Sequence, residues 1–268
     1  MQIPSLSDFI ARHRRLFVLT GAGCSTDSGI PDYRDADGSW KRPPPVSFQA
    51  FIGSAAVRQR YWARSFAGWR HFHRAGPNGA HAALARLEQQ GRVELLLTQN
   101  VDGLHQAAGS LQVIDLHGRL DRVGCTDCYS LVPREELQAE LLRRNPEWAR
   151  LPPGPVAPDG DADLERLPFG EFAVPSCTRC GGVLKPDVVF FGESVPRPRV
   201  DAAMQRLAQA DAMLVVGSSL MVYSGYRFVQ AAARSGKPVA AINLGRTRAD
   251  ELLTLKVSEP CALALAAL

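Results

Sequence analysis

The sequence has no apolar run approaching the ~20 residues that a membrane-spanning helix requires, which excludes an integral membrane protein of the helical kind. It has no long block of like charge. Its 31 Lys and Arg stand against 27 Asp and Glu, a net charge of +4 that suits anionic small ligands without implying nucleic acid. There is no internal repeat, and no signal or transit peptide is read before the first strand candidate at Leu16. Cysteine is sparse, with six residues, and four of them form two CxxC pairs. That spacing reads as metal ligation in a reducing compartment, the cytoplasm by default, rather than as a secreted disulfide framework.

What is present fits a folded domain. Hydrophobic residues make up 46% and charged residues 22% of 268, enough to bury a sizeable core. Short apolar runs recur at 16–20, 93–98, 113–116, 187–191, 213–217 and 239–244, and they read as buried parallel strands. Helical stretches lie between several of them. One covers 79–90, with Asn78 as N-cap and Gly91 as terminator; another runs from Tyr223 to Ser235 and stops at Gly236. This alternation predicts an α/β fold with a doubly wound, Rossmann-like parallel sheet. Two segments break the pattern. Residues 48–74 read as a helical insert, and 118–185, including the Pro-rich "LPPGPVAPDGDAD" at 151–163, as a small zinc-ribbon module. The expected division is therefore 1–117 and 186–268 for the nucleotide-binding domain, with 118–185 inserted.

Cys125, Cys128, Cys177 and Cys180 each supply one thiolate, and four thiolates saturate a tetrahedral Zn2+. A catalytic zinc keeps a position open for water, so this one is expected to be structural. A zinc hydrolase with His117 as a ligand is disfavoured by the same count. A zinc-ribbon module that binds nucleic acid lacks a stripe of basic and aromatic residues beside the cysteines.

Gly21, Ala22 and Gly23 directly follow a strand, in a turn whose backbone N–H groups can approach a pyrophosphate, with small and polar residues at an expected helix start. The match to GxGxxG is incomplete, since Thr26 stands where the third glycine belongs. Taken alone, tight packing and phosphate binding explain the turn equally well. Gly217, Ser218 and Ser219 follow a second strand, and Asn243, Leu244 and Gly245 a third; Gln99, Asn100 and Asp102 follow a fourth. Serines there can equally cap a helix, and Asn-x-Asp can equally close an Asx-turn.

In order along the chain, "GAGCSTDSGIPDYR", "TQNVDGLH", "LHG", the two CxxC pairs, "KPDVVFFGE", "VVGSSL" and "INLG" resemble the sirtuins, NAD-dependent protein lysine deacylases. The likeness runs from about Leu16 to Cys261. "RQRYWARSFAGW", "APDGD" and "VYSGYRF" resemble the class II, sirtuin-4-like members. Cys24 departs from the isoleucine or valine of many sirtuins.

The resemblance implies NAD as co-substrate, with Gly21, Ala22, Gly23, Thr26, Asp32, Tyr33 and Arg34 around its diphosphate and nicotinamide. Gln99, Asn100 and Asp102 would serve the ribose and nicotinamide; Gly217, Ser218, Ser219, Asn243, Leu244, Gly245 and the backbone at Cys261 would take the adenosine end. It implies His117 as general base, with Gly118 allowing close substrate approach. An imidazole suits the task because its unperturbed pKa near ~6.5 leaves it largely neutral at cytoplasmic pH. His81 and His105 are expected to be cap or core residues. Val189, Phe190, Phe191 and Gly192 would form an edge to which an acyl-lysine peptide adds as a strand. Tyr61 and Arg64 lie three apart on one helix face, the arrangement by which sirtuins that prefer acidic acyl groups hold a distal carboxylate. The implied activity is NAD-dependent removal of acyl groups from protein lysines; a Tyr61 and Arg64 pair at the acyl channel would prefer larger or carboxylated groups over acetyl, and a core tyrosine beside a solvated arginine face explains the two residues equally well. The alternative is a protein mono-ADP-ribosyltransferase on the same fold. Acylated-lysine proteins are the expected partners, nucleic acid and membrane are not, and the chain is expected to be a monomer.

Overall fold

All five residues of the run LFVLT at 16–20 are buried, so the strand they form must be covered on both faces. The protein, a computed structural model, is described over residues 5–150, 157–162, 164 and 167–266; most of the Pro-rich stretch 151–163 lies outside them. Its strands are β1 (Leu16–Thr20), β2 (Val93–Thr98), β3 (Val113–Asp115), β4 (Gly118–Cys125), β5 (Leu131–Pro133), β6 (Leu184–Val188), β7 (Ala212–Val216), β8 (Val239–Ile242) and β9 (Leu255–Val257). Its α-helices are α1 (Leu6–Arg12), α2 (Phe48–Gly53), α3 (Ala55–Phe72), α4 (Gly79–Gln89), α5 (Leu104–Ala107), α6 (Arg134–Arg144), α7 (Arg197–Gln209), α8 (Tyr223–Arg234) and α9 (Cys261–Leu265).

Six strands form one parallel sheet in the order β3-β2-β1-β7-β8-β9. The order runs outward in both directions from the β1/β7 pair. That makes this pair the topological switch point, where ligands bind in open α/β sheets. Alternate residues of β1 enter opposite cores: Leu16 and Val18 pack with α1, α4 and α9, and Phe17 and Leu19 with α7 and α8. Asn78 starts α4 as expected, its side chain accepting from the Ala80 and His81 backbone while His81 Nδ1 accepts from Asn78 N–H. Gly91 and Gly236 follow the ends of α4 and α8 with positive φ, the conformation that terminates helices at least cost.

The run 187–191 does not join the parallel sheet. Asp187 and Val188 instead end β6, which pairs antiparallel with β4 in a separate three-stranded sheet, β5-β4-β6. The chain leaving β3 passes through two residues straight into β4, where Gly118 pairs with Val188, and Val189 N–H donates to the His117 carbonyl at 2.8 Å. Those bonds fasten the run to β4. The insert helices and the cysteine-bearing segment share a third core, in which Phe51, Tyr61, Trp62 and Phe66 pack with Val123, Leu141, Trp148, Phe172 and Phe190.

Candidate active site

A cleft of about 1140 Å³ opens beyond the carboxyl ends of β1, β2, β7 and β8. Its floor is built by glycines that interlock. Gly21 N–H donates to Val216 O, and Gly23 N–H donates to Gly217 O. A Cβ on Gly21 would sit 2.8 Å from Ser218 Cβ, and one on Gly217, whose φ is +63°, would sit 2.3 Å from Cys24 N. These glycines therefore serve tight packing of two strand ends and also leave a floor without side chains, the bare surface a diphosphate needs. The expected helix after the turn is absent. Two short 3-10 segments, Ala22–Cys24 and Thr26–Ser28, replace it, because Ser25 and Gly29 break the ladder after each.

Around that floor the structure gathers Gly21, Ala22, Gly23, Thr26, Asp32, Tyr33, Arg34, Gln99, Asn100, Asp102, Gly217, Ser218, Ser219, Asn243, Leu244, Gly245 and Cys261, all of which line the cleft. Their polar groups hold one another. Gln99 Nε2 donates to Ser218 Oγ at 2.8 Å, and Asn100 Nδ2 donates to Gly21 O and Ser25 Oγ. Asp102 does two jobs: Oδ1 accepts from Leu104 N–H, closing an Asx-turn, while Oδ2 accepts from Ser25 Oγ at 2.7 Å. Ser218 caps no helix; its Oγ accepts from Leu220 N–H in a local turn. Arg34 lies over Trp40 at 4.0 Å and donates to Gly38 O, which braces the loop carrying Asp32 and Tyr33.

His117 follows β3 and faces this network. Its Nδ1 is 3.0 Å from the Gln99 carbonyl, which can only accept, so Nδ1 carries the proton. Its Nε2 is 2.8 Å from Ser224 Oγ, and the neutral ring accepts the hydroxyl proton there. Burial lowers its pKa to about 4, aided by the Arg199 and Arg227 charges and opposed by the Gln99 bond. At neutral pH Nε2 thus holds a lone pair at the cleft wall, engaged by the Ser224 hydroxyl. Gly118 serves the pairing of the small sheet. With φ +82° and a would-be Cβ 2.0 Å from Asp187 O, it lets β4 pair with β6.

Val189, Phe190, Phe191 and Gly192 also line the cleft. Phe191 O accepts from Phe48 N–H, and Phe190 N–H donates to Glu193 Oε2. Phe191 is paired in parallel with Ser47, whereas Val189 O makes no hydrogen bond among the described residues, so this segment retains a free acceptor at Val189.

Tyr61 and Arg64 do not both line the cleft. Tyr61 reaches the cleft, its ring edge-on to Phe51 and Trp62. Arg64 does not line it: Nε donates to Ala162 O, and Arg64 O accepts from Ala162 N–H. The turn 157–162 can dock there because residue 68 is glycine, whose Cβ would otherwise meet Gly160 O at 2.0 Å. That turn presents Asp159 to the cleft, where burial raises the carboxyl pKa and the Arg64 charge opposes it.

Cys125, Cys128, Cys177 and Cys180 converge beyond β4 and β6. Their sulfurs all lie within 4.8 Å of one another, with Cys125 to Cys180 at 3.5 Å and Cys128 to Cys177 at 3.7 Å. Four thiolates around zinc at ~2.3 Å stand about 3.8 Å apart, so the cluster fits a tetrahedral zinc with no position left for water. His117 belongs to a different part of the molecule. Residues missed from the sequence include Ser25, which joins Asn100 to Asp102, and Ser224, which lies within the "VYSGYRF" stretch but has no signal of its own.

Residues 21–224 match the model of the Sir2 family. An NAD-dependent protein deacetylase of Xanthomonas campestris pv. campestris (strain 8004) is 66% identical over 263 residues, covering 98% of this chain and 89% of the relative. The NAD-dependent protein lipoamidase sirtuin-4, mitochondrial, of Bos taurus is 48% identical over 263 residues, covering 97% and 83%. A solved structure described as Sir2-p53 peptide-NAD+ superposes with a TM-score of 0.78 at 30% identity, covering 100% of this chain and 97% of that one. Glycine turns at the switch point, a neutral histidine beside them and a four-cysteine cluster thus occur in a chain whose likeness to these proteins is nearly end to end, and the chain belongs to the Sir2 family.

Proposed function

We propose that this chain uses NAD to remove acyl groups from lysine side chains of proteins, releasing nicotinamide and O-acyl-ADP-ribose, and that it accepts acyl groups larger than acetyl. The observation that carries the reading is His117, held with Nδ1–H on the Gln99 carbonyl and Nε2 free to take a proton, beside the glycine floor of the β1/β7 switch point. NAD, when bound, supplies the ribose carbon that receives the acyl oxygen as nicotinamide leaves. His117 Nε2 takes the proton of a hydroxyl brought within its reach, displacing the Ser224 hydroxyl that occupies it otherwise.

Gly21, Ala22, Gly23, Thr26, Asp32, Tyr33 and Arg34 hold the diphosphate and nicotinamide. Gln99, Asn100 and Asp102 orient the ribose and nicotinamide, and Gly217, Ser218, Ser219, Asn243, Leu244, Gly245 and Cys261 take the adenosine end. The peptide adds along Val189 to Gly192, using Val189 O. Residues 1–117 and 186–268 act as the nucleotide-binding domain, and 118–185 as a zinc-held module that supports the acyl side of the cleft. The chain works as a monomer in the cytoplasm, where thiols stay reduced, and needs neither nucleic acid nor membrane.

For the acyl group, size and charge separate. Tyr61 and Phe190 give the cleft an aromatic wall, which favours a long chain. Arg64 does not line the cleft and its charge faces Asp159, an acid group that does line it, so a distal carboxylate is disfavoured and a long neutral chain such as lipoyl is favoured. Mass spectrometry of acetyl, lipoyl and glutaryl lysine peptides, with and without NAD, tests the reading on wild type and His117→Ala. Turnover is expected only with NAD, fastest on lipoyl and lost in His117→Ala. Turnover without NAD, or ADP-ribose left on protein with no deacylated peptide, would overturn it.

A further inference from the structure

Behind the cleft floor lies a second group of metal-binding side chains that the proposed reaction does not use. Cys24, His81 and His105 each offer a ligand atom, and these atoms lie within 4.8 Å of one another. All three residues are buried, Cys24 and His105 at 1% exposure and His81 at 0%.

The hydrogen bonds show which atoms are available. The Thr20 hydroxyl donates to Thr98 Oγ1 at 2.8 Å, so it can only accept from His105 Nε2, 2.9 Å away. His105 Nε2 therefore carries the proton, and Nδ1 holds a lone pair. That Nδ1 is buried and has no hydrogen-bond partner, a deficit that a folded protein normally avoids. His81 Nδ1 accepts from Asn78 N–H at 3.2 Å, so Nε2 carries the proton in the metal-free protein, with only a long 3.5 Å contact to Ser25 Oγ, and becomes a ligand atom when that proton shifts to Nδ1.

We propose that Cys24 Sγ, His81 Nε2 and His105 Nδ1 form a second metal site, which takes one Cu(I) ion and whose occupation closes the nucleotide cleft. The donor set chooses the ion. One thiolate with two imidazoles is a soft, three-donor site, and no fourth His, Cys, Asp or Glu joins the group among the described residues. Structural zinc takes four ligands and already has four thiolates elsewhere. On binding, the Cys24 S–H bond breaks, the sulfur bonds to copper and the proton leaves to solvent; copper stays Cu(I), so no oxidant or reductant is consumed. His81 must move its proton from Nε2 to Nδ1, which breaks its bond from Asn78 N–H at the start of α4.

The consequence for the cleft follows from Ser25. It is the next residue after Cys24, lines the cleft, and holds Asp102 Oδ2 at 2.7 Å and Asn100 Nδ2 at 3.0 Å. Ser25 Oγ also contacts His81 Nε2 at 3.5 Å, so an ion that draws on Cys24 and His81 acts on both neighbours of Ser25 and loosens its hold on Asp102 and Asn100. The binding claim stands by itself, whereas the closure claim rests on the NAD-dependent reading above.

The test uses the zinc-loaded protein under anaerobic, reducing conditions, with Cu(I) supplied from a bicinchoninate buffer and both metals counted by mass spectrometry. One Cu(I) is expected per chain with zinc unchanged, and Cys24→Ser and His105→Gln should each lose the copper while keeping zinc. Copper should slow NAD-dependent deacylation of an acyl-lysine peptide more than tenfold in wild type and less than twofold in Cys24→Ser, each relative to its own copper-free rate. No retained copper, copper retained equally in both variants, or copper gained with matching zinc loss would overturn the site. Copper bound without inhibition would overturn the closure alone. Absence of NAD-dependent turnover in copper-free protein would instead defeat the deacylase reading and leave the stoichiometry to judge the site.

Discussion

Replacing His105 by glutamine should make the protein less sensitive to acid, and the size of the effect can be worked from its surroundings. Burial lowers the His105 pKa from 6.5 to about 3, with the neighbouring His81 adding to the shift. The unfolded chain, with an ordinary imidazole, therefore binds a proton more readily than the folded one between those values. The sign is that of a base with a depressed folded pKa: stability is fully present above ~6.5 and is lost as pH falls toward ~3. Between pH 8 and pH 5 the loss is about 2 kcal/mol, and it continues to grow as pH falls toward ~3. The physical cause is the Nδ1 atom, which would have to take a proton with no acceptor to face. Glutamine does not titrate, and its amide can still donate to Thr20. Equilibrium urea unfolding of both proteins at pH 8 and pH 5, with reductant and zinc and without copper, measures the double difference. The four thiolates also respond to pH, but equally in both proteins, so they cancel. Wild type should lose about 2 kcal/mol more than the variant over this interval. Equal losses would refute the reasoning.

Three further outcomes are expected. Gly217→Ala places a Cβ 2.3 Å from Cys24 N and 2.5 Å from Gly23 C, backbone atoms that cannot swing aside, at a φ of +63°; destabilisation of about 2–5 kcal/mol and at least tenfold weaker NAD binding should follow, read by thermal melting and calorimetry. Stripping zinc with a chelator should lower the melting temperature by at least about 10 °C and raise the exposure of Trp148 and Trp62, which share a core with Cys125 and Cys177, because structural zinc contributes on the order of 10 kcal/mol; an unchanged melt with zinc gone would contradict a structural role. Asp159→Asn should raise kcat/KM on a glutaryl relative to a neutral acyl peptide of similar length about tenfold, the effect of one charge near a partly enclosed chain, and an unchanged ratio would show that Asp159 does not face the acyl group.

Much of this protein is written in short contiguous stretches. The runs at 16–20, 93–98 and 239–242 form buried strands because four to six adjacent, mostly apolar residues have no other place to go, and Asn78 and Gly91 bound α4 by local hydrogen bonding and backbone freedom. The two CxxC pairs each bring two sulfurs close by spacing alone, so the four-cysteine cluster needed only the folding of one pair onto the other. Decisions between distant segments were not written there. An apolar run does not say which strand it will meet, so 187–191 read as parallel until β4 claimed its first residues. Helical spacing puts Tyr61 and Arg64 on one side of α3, yet the turn 157–162 takes the arginine and leaves the tyrosine to the cleft. Ser224 meets His117 across 107 positions, and Cys24, His81 and His105 come from three separate elements. Sequence settles what each segment can bury and which side chains it can offer, because those depend on neighbours along the chain. Which offers are accepted depends on packing and hydrogen bonding across the fold, and only the assembled structure decides that.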